Sequence, residues 1–127
     1  MRLLLDTHAF LWAIGKPTGL SAKVTGLLLD EQNDLLLSAA SLWEIALKVR
    51  ARKLELPEDR RYFEEHMAKL GVECLPVRVE HVLELFRLPG HHRDPVDRLL
   101  VAQCRCERLL LVTADKAIRK YEVETVW

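Results

Sequence analysis

Apolar residues in this chain form short unbroken runs that are separated by stretches of helical spacing. The unbroken runs are 2–5 (RLLL), 34–37 (DLLL) and 108–112 (RLLLV), and polar residues bound each of them. Such runs are typical of strands in a parallel sheet that is covered on both faces. Residues 72–77 (VECLPV) and 123–127 (VETVW) are weaker strand candidates. The pattern therefore predicts up to five strands.

Helical periodicity fills the intervals between the strands. The predicted helices cover residues 8–14, 21–32, 39–53, 58–70, 79–87, 95–107 and 114–120. The triplet at 27–29 resembles a strand, but Val24, Leu27 and Leu28 follow i, i+3, i+4 spacing and Ser21 can cap a helix. Alternating strands and helices predict an α/β fold with a mostly parallel sheet and right-handed crossovers.

Composition agrees with one folded domain over residues 1–127. Half of the residues are hydrophobic and 30% are charged, which is a globular composition with enough apolar material for a core. Lys+Arg and Asp+Glu both total 19, so no overall field draws the protein to nucleic acid or to a membrane. A local basic patch at 48–53 (KVRARK), with Arg60 and Arg61, could bind a polyanion or consist of solvated residues at a helix end.

Cysteine usage indicates a reducing compartment. Cys74, Cys104 and Cys106 are odd in number and no secretion signal is evident, so we expect reduced thiols in a cytoplasmic protein. Cys104 and Cys106 lack the second pair of a zinc site, and packing is their expected role. No apolar run approaches membrane-spanning length.

Acidic residues follow the predicted strands. Asp6 ends the first run, Glu44 lies in the helix after the second, and Asp115 follows the last. Asp94 and Asp97 open the helix that precedes this last strand. Parallel sheets bind ligands at the carboxyl ends of their strands, so we expect these carboxylates to lie near one another.

Each acid also has a structural explanation. The aspartates could cap the helices that they precede. Ser41 and Glu44 form the S-x-x-E pattern of a capping box, and Glu44 can pair with Lys48 at i, i+4. These explanations do not account for carboxylates at every position, because Thr7, Ser38 and Thr113 are available nearby.

Electrostatics makes the convergence informative. Two carboxylates about 5 Å apart repel by roughly 3 kcal/mol at an effective dielectric near 20, so a converging set needs raised pKa values or a cation. All-oxygen ligation selects Mg²⁺ or Mn²⁺ rather than zinc. An open site of this kind can activate water for phosphodiester hydrolysis, which is a nuclease chemistry.

Four blocks of the sequence resemble the PIN-domain ribonucleases, and within them the VapC-like toxins of type II toxin–antitoxin pairs. The blocks are LLLDTHAFLW at 3–12, SAASLWEIALK at 38–48, HHRDPVDRLLVAQ at 91–103 and LLLVTADKAI at 109–118. The resemblance runs from residue 1 to residue 127 and implies a single PIN domain. It implies a three-layer α/β/α sandwich around a central, mostly parallel sheet of about five strands.

The resemblance also implies a site and a reaction. It places the catalytic, metal-binding acids at Asp6, Glu44, Asp97 and Asp115, with Thr7 holding a metal-bound water. Asp97 matches the family's acid because it stands directly before the apolar run RLLVA, which leaves Asp94 as the helix cap. The implied activity is Mg²⁺- or Mn²⁺-dependent cleavage of RNA by metal-activated water, leaving a 5′-phosphate and a 3′-hydroxyl. Implied partners are a second copy of the chain and a cognate antitoxin protein.

Neighbouring side chains are open to more than one interpretation. Arg98 could contact phosphate or pair with Asp94, and His91 and His92 could touch RNA, donate protons or have no role. The histidines expected to be structural are His8, His66 and His81. The tryptophans expected in the core or a dimer interface, rather than under a stacked base, are Trp12, Trp43 and Trp127.

Other functions remain to be distinguished. A phosphatase of the haloacid-dehalogenase type also begins with a strand ending in Asp, but it needs a second acid where this chain has His8. A PIN-like fold could be an inactive RNA-binding or dimerisation module, although the four acids favour activity. A PIN nuclease of RNA maturation is the third alternative, and a neighbouring gene for a DNA-binding antitoxin would separate it from a toxin.

Overall fold

Five strands form one parallel sheet in the computed structural model, which describes residues 1–127. The strands are β1 (Arg2–Leu5), β2 (Asp34–Ser38), β3 (Val72–Leu75), β4 (Leu110–Val112) and β5 (Thr125–Val126). Their order across the sheet is β3-β2-β1-β4-β5, and every neighbouring pair is parallel. β1 is therefore central, and its carboxyl end lies between those of β2 and β4.

Six α-helices connect the strands. They are α1 (Thr7–Gly15), α2 (Ala22–Leu29), α3 (Ala39–Arg50), α4 (Arg60–Leu70), α5 (Val79–Glu84) and α6 (Pro95–Glu107). Short 3₁₀ turns cover Pro17–Gly19, Leu85–Arg87 and Ile118–Lys120. No helix is both long enough and apolar enough to cross a membrane.

The sheet is covered on both faces, so that alternate residues of each strand enter different cores. Leu4 and Leu36 belong to a cluster with Leu100 of α6, whereas Leu3 and Leu5 pack with the helices on the other side. Leu3, Leu4 and Leu5 are completely buried, and each contributes about 2 kcal/mol by leaving water. This three-layer arrangement confirms the predicted α/β/α sandwich and its five strands.

Two local predictions are wrong. The expected helix at 114–120 is only the 3₁₀ turn Ile118–Lys120; Ile118 at its start and Tyr121 directly after it are buried at i, i+3 spacing. The capping box on Ser41 is absent because β2 passes directly into α3, and Ser38 caps the helix by accepting the Ala40 amide at 3.0 Å. Ser41 is instead buried within the first turn, where its hydroxyl has no partner.

Candidate active site

Asp6 lies where β1 ends and α1 begins, and it is almost completely buried. As the N-cap of α1, its Oδ1 accepts the amide of Ala9 at 2.7 Å. The expected capping role is therefore present, and it uses only one of the two carboxylate oxygens. Burial raises the pKa of Asp6, although contacts with the Thr113 hydroxyl and the Ala9 amide oppose this.

The start of α6 separates the roles of its two aspartates. Asp94 is the N-cap, and its Oδ1 accepts the amides of Val96 at 2.8 Å and Asp97 at 3.1 Å, as the sequence predicted. Pro95 occupies the first helical turn, where a missing amide hydrogen costs nothing. The Asp97 side chain takes no part in the cap, and Asp97 lines a cavity with Asp6 and Asp115.

Asp115 is presented by the turn that follows β4. Its amide donates to Thr113 Oγ1 at 3.1 Å, and its Oδ1 accepts the amide of Ala117 at 2.8 Å. These bonds leave Oδ2 for a partner outside the turn. Although burial acts in the opposite direction, hydrogen bonds from His92 and from the Ala117 amide lower the pKa of Asp115.

One cavity of about 250 Å³ brings three of the four predicted acids together. Its walls are formed by Asp6, His8, Trp12, Asp97, Ala114 and Asp115. Glu44 is not part of these walls, but it lies close enough for its charge to raise the pKa of Asp97. Glu44 Oε2 also lies 3.8 Å from Lys48 Nζ, which is the i, i+4 pair expected from the sequence. The fourth acid therefore stands at the periphery of the cluster.

Among the acids of the cavity, Asp97 has the largest change in pKa. Burial and then the charge of Asp94 raise its pKa to about 7, and the charges of Asp6 and Glu44 act in the same direction. Nearby His92 opposes these effects. Asp97 therefore holds its proton at a much higher pH than an ordinary aspartate, which is the response expected of converging carboxylates without a cation.

His92, whose role the sequence left open, is a member of the cluster. Its Nε2 lies 2.8 Å from Asp115 Oδ2 and 3.3 Å from Asp97 Oδ2. The Asp94 amide donates to Nδ1 at 2.9 Å, so Nδ1 is an acceptor and Nε2 carries the hydrogen. His91 instead packs its exposed ring edge-on against Tyr121. The two adjacent loop histidines therefore have entirely different contacts, and the sequence alone does not indicate which of them lies with the acids.

The donor set fits a hard divalent cation. Ligand atoms of His92, Asp97 and Asp115 lie within 4.8 Å of one another, and Asp6 shares their cavity. Beside Asp6 in the chain, the buried Thr7 Oγ1 has no hydrogen-bond partner, but Thr7 is not part of the cavity walls. Carboxylate oxygens suit Mg²⁺ and Mn²⁺, whereas both ring nitrogens of His92 already have protein partners.

A second group of potential ligands, Glu80, His81 and Glu107, lies outside the walls of this cavity. The Arg78 amide donates to His81 Nδ1 at 3.0 Å, so Nε2 carries the hydrogen and donates it to Glu107 at 2.8 Å. Both ring nitrogens are therefore occupied. This completely buried histidine joins α5 to α6, in agreement with the structural role predicted for it.

The basic residues considered from the sequence have protein partners in most cases. Arg98 donates to the Pro89 carbonyl at 2.9 Å and to Tyr121 Oη at 3.1 Å, so the pairing with Asp94 is wrong. In the patch at 48–53, Lys48 pairs with Glu44, and Arg50 pairs with Glu58 at 3.2 Å. These pairs reduce the positive charge that the patch offers to a polyanion.

Comparisons with known proteins place this architecture among similar solved structures. The sequence has no significant match among curated proteins. VapBC2 from Rickettsia felis, solved bound to a DNA fragment from its promoter, superimposes with a TM-score of 0.73 at 15% identity, covering 99% of this chain and 98% of that chain. DNA-bound VapBC from Salmonella typhimurium gives 0.73 at 16% identity, covering 99% and 97%.

A third structure, FitAcB from Neisseria gonorrhoeae, gives a TM-score of 0.67 at 18% identity and covers 98% of this chain and 96% of that chain. At such identities the likeness concerns the fold. Sequence evidence for the family is independent of these structures, because the model of the family described as PIN domain matches residues 3–124. The chain belongs to the PIN domain family.

Proposed function

We propose that this protein is a divalent-metal-dependent endoribonuclease and the toxin of a type II toxin–antitoxin pair. The observation that carries the proposal is the convergence of Asp6, Asp97 and Asp115 on one small cavity, where the pKa of Asp97 is raised to about 7. Membership of the PIN domain family, which is of the nuclease type, supports hydrolysis of phosphodiester bonds.

The catalytic and metal-binding acids in this proposal are Asp6, Glu44, Asp97 and Asp115. A bound Mg²⁺ or Mn²⁺ would activate water and neutralise charge on the phosphodiester. The chain supplies the geometry: strand ends fix Asp6 and Asp115, and the cap on Asp94 frees Asp97. Thr7 Oγ1, buried and without a partner, would orient a water beside Asp6. We expect a 5′-phosphate and a 3′-hydroxyl at the cut.

Cleavage of a mixed RNA pool tests the activity. Wild-type protein with Mn²⁺ should cut single-stranded or looped RNA, EDTA should stop the reaction, and end mapping should give 5′-phosphates. Asp97→Asn should be inactive, whereas the matched control Asp94→Asn should cut, because Asn caps a helix about as well as Asp. Equal cleavage by wild type and by both variants would assign the activity to a contaminant and contradict the proposal.

The toxin assignment needs an antitoxin, and the similarity to structures titled VapBC supports one. Between α3 and α4 lies a groove of about 400 Å³. Its apolar residues include Leu42, Ile45, Val49, Phe63 and Met67. A groove of this shape suits the apolar face of a partner helix. Co-expression with the product of a neighbouring short gene should give a complex that Phe63→Glu disrupts. If no such gene lies near the gene for this chain, a nuclease of RNA maturation would be favoured over a toxin.

A second copy of the chain is the partner proposed for α5. Val79, Leu83 and Phe86 project from α5 and the turn after it, and they are 73%, 55% and 87% exposed. Glu80 lies near the start of this apolar row and Arg87 follows its end, so an antiparallel pairing about a twofold axis would bring Glu80 of each copy near Arg87 of the other. The row is therefore self-complementary, as a homodimer requires.

A further inference from the structure

We propose that His8 and Trp12 form a nucleobase subsite beside the acidic cluster, so that the cavity binds a nucleotide by its base as well as its phosphate. The inference rests on the proposed ribonuclease function. It assigns a role in substrate binding to two residues that the sequence placed among structural groups.

The cavity has two chemically different sides. Its walls include the acids Asp6, Asp97 and Asp115 and also the aromatic residues His8 and Trp12. His8 and Trp12 are four residues apart on α1, so they share a helix face about one turn, or about 6 Å, apart. Their ring centroids are 6.1 Å apart with a 50° tilt. Acids that bind a cation and adjacent aromatic rings match the two ends of a nucleotide.

Trp12 is held in one orientation by its neighbours. A Cβ atom built on Gly19 would lie 2.9 Å from Cγ, Cδ1 and Cδ2 of the indole, so the glycine backbone rests against the five-membered ring. The Trp127 ring packs at 5.3 Å with a 53° tilt. Because the indole is fixed before a ligand arrives, binding costs little side-chain entropy.

His8 provides the accessible part of this aromatic side. The residue is exposed, and its ring forms no hydrogen bond or ion pair, unlike His66, His81 and His92. A histidine that only stabilised the fold would be expected to use its ring nitrogens. Every base has a π-face, so an aromatic side of this kind would accept bases with little sequence preference.

A nucleobase is favoured over a peptide side chain as the occupant. The aromatic residues share their cavity with the acids that would hold a cation on a phosphate, whereas the larger apolar groove lies between α3 and α4. If the cavity bound a peptide side chain instead, the affinity of the protein for RNA would not depend on the bases. The two occupants therefore differ in a measurable quantity.

An abasic scan tests the subsite. Fluorescein-labelled single-stranded RNA is bound in Ca²⁺, with gels confirming that it stays intact, and one abasic residue is moved along the strand. In wild type, the abasic residue at one position should raise Kd by at least about tenfold, in line with the loss of one stacked base. In Trp12→Leu and in His8→Ala, the effect at that position should fall to about twofold or less.

Trp43→Leu is the matched control. Trp43 is 60% exposed on α3 and is not part of the cavity walls, so this variant should keep the full abasic effect. His8→Ala changes an exposed residue and keeps the test valid if Trp12→Leu fails to fold. Calorimetric titration with Mn²⁺ should still show saturable binding to His8→Ala, which separates loss of base binding from loss of the metal site.

Each contrary outcome has a distinct meaning. A flat abasic scan in a protein that cleaves RNA with Mn²⁺ would overturn the subsite and leave the ribonuclease proposal intact. An equal loss in Trp43→Leu would also overturn the subsite. Absence of both Mn²⁺-dependent cleavage and RNA binding would overturn the proposed function together with this inference.

Discussion

Asp94 and Asp97 stand three residues apart at the start of α6 but serve different partners. Asp94 Oδ1 accepts the Asp97 amide at 3.1 Å, while Asp97 Oδ2 lies 3.3 Å from His92 Nε2. One aspartate therefore stabilises the helix end and, through its charge, raises the pKa of the other. This relationship separates a structural acid from a candidate catalytic one within a single turn of helix.

Substitution of the two aspartates should have unequal effects on catalysis. Loss of a residue that only supports metal ligands lowers activity by about 10- to 100-fold. Asp97→Asn should lower the rate of RNA cleavage by more than this. Asp94→Asn should stay within about threefold of wild type, because Asn accepts the same amides. Single-turnover rates with Mn²⁺ measure both. An active Asp97→Asn enzyme would transfer the catalytic role to Asp94.

Removing the charge of Asp97 should stabilise the metal-free fold. Its pKa of about 7 lies above the ordinary value of 3.8, so protonated Asp97 adds to the free energy of unfolding. This contribution is complete below about pH 4 and is lost as the pH rises to 7. The shift corresponds to about 4 kcal/mol. Since Asn also loses the contact with His92, we expect a gain of about 2 kcal/mol at pH 8, or roughly 8 °C in Tm.

Asp115→Asn is the control for this experiment, because it should change the Tm in the opposite direction. The pKa of Asp115 is lowered, so its charge favours the folded state above the ordinary pKa, and the variant should melt below wild type. Mn²⁺ should raise the Tm of wild type but not that of Asp97→Asn. Thermal unfolding with EDTA and then with Mn²⁺ measures both effects, and a lower Tm for metal-free Asp97→Asn would contradict the burial argument.

Metal binding should depend on pH through Asp97. A cation must displace the proton that Asp97 holds below a pKa of about 7, so Mn²⁺ affinity should rise by up to about tenfold per pH unit from pH 5.5 to 7 and then level off. Calorimetry in buffers of different ionisation enthalpy should detect release of up to one proton at pH 6. Affinity that is constant across this range would show that Asp97 is not a ligand.

His92 should tune that pH dependence. It opposes the rise in the pKa of Asp97 and contributes to the lowered pKa of Asp115. His92→Ala should therefore move the midpoint of Mn²⁺ binding to higher pH. His91→Ala is the matched control, because the neighbouring ring packs on Tyr121 and its loss should leave the midpoint in place. Equal shifts in both variants would indicate a general effect of the loop.

The sequence predicted the parts of the site that depend on strand position. Asp6 and Asp115 directly follow strands, so the parallel sheet alone brings them to one edge. His92 was not predictable in this way, because its backbone is fixed by a hydrogen bond from its amide to Tyr121 Oη, 29 residues away. The position of Trp12 in the cavity wall likewise depends on Gly19 and Trp127, contacts that helical periodicity does not encode.

The apolar row on α5 predicts a dimer that a single charge should separate. Phe86 is 87% exposed, and the antiparallel pairing would place its ring against the Val79 end of the partner's apolar row. Phe86→Glu should convert the dimer to a folded monomer, because each copy would bury an unpaired carboxylate against the apolar row of the other. Sedimentation equilibrium measures the mass, and circular dichroism confirms the fold. Trp43→Glu, which places the same charge at an exposed aromatic position on α3, should leave the dimer intact. If Trp43→Glu is monomeric and Phe86→Glu remains dimeric, the interface lies on α3. If the wild-type protein is itself a monomer, the proposed homodimer is wrong.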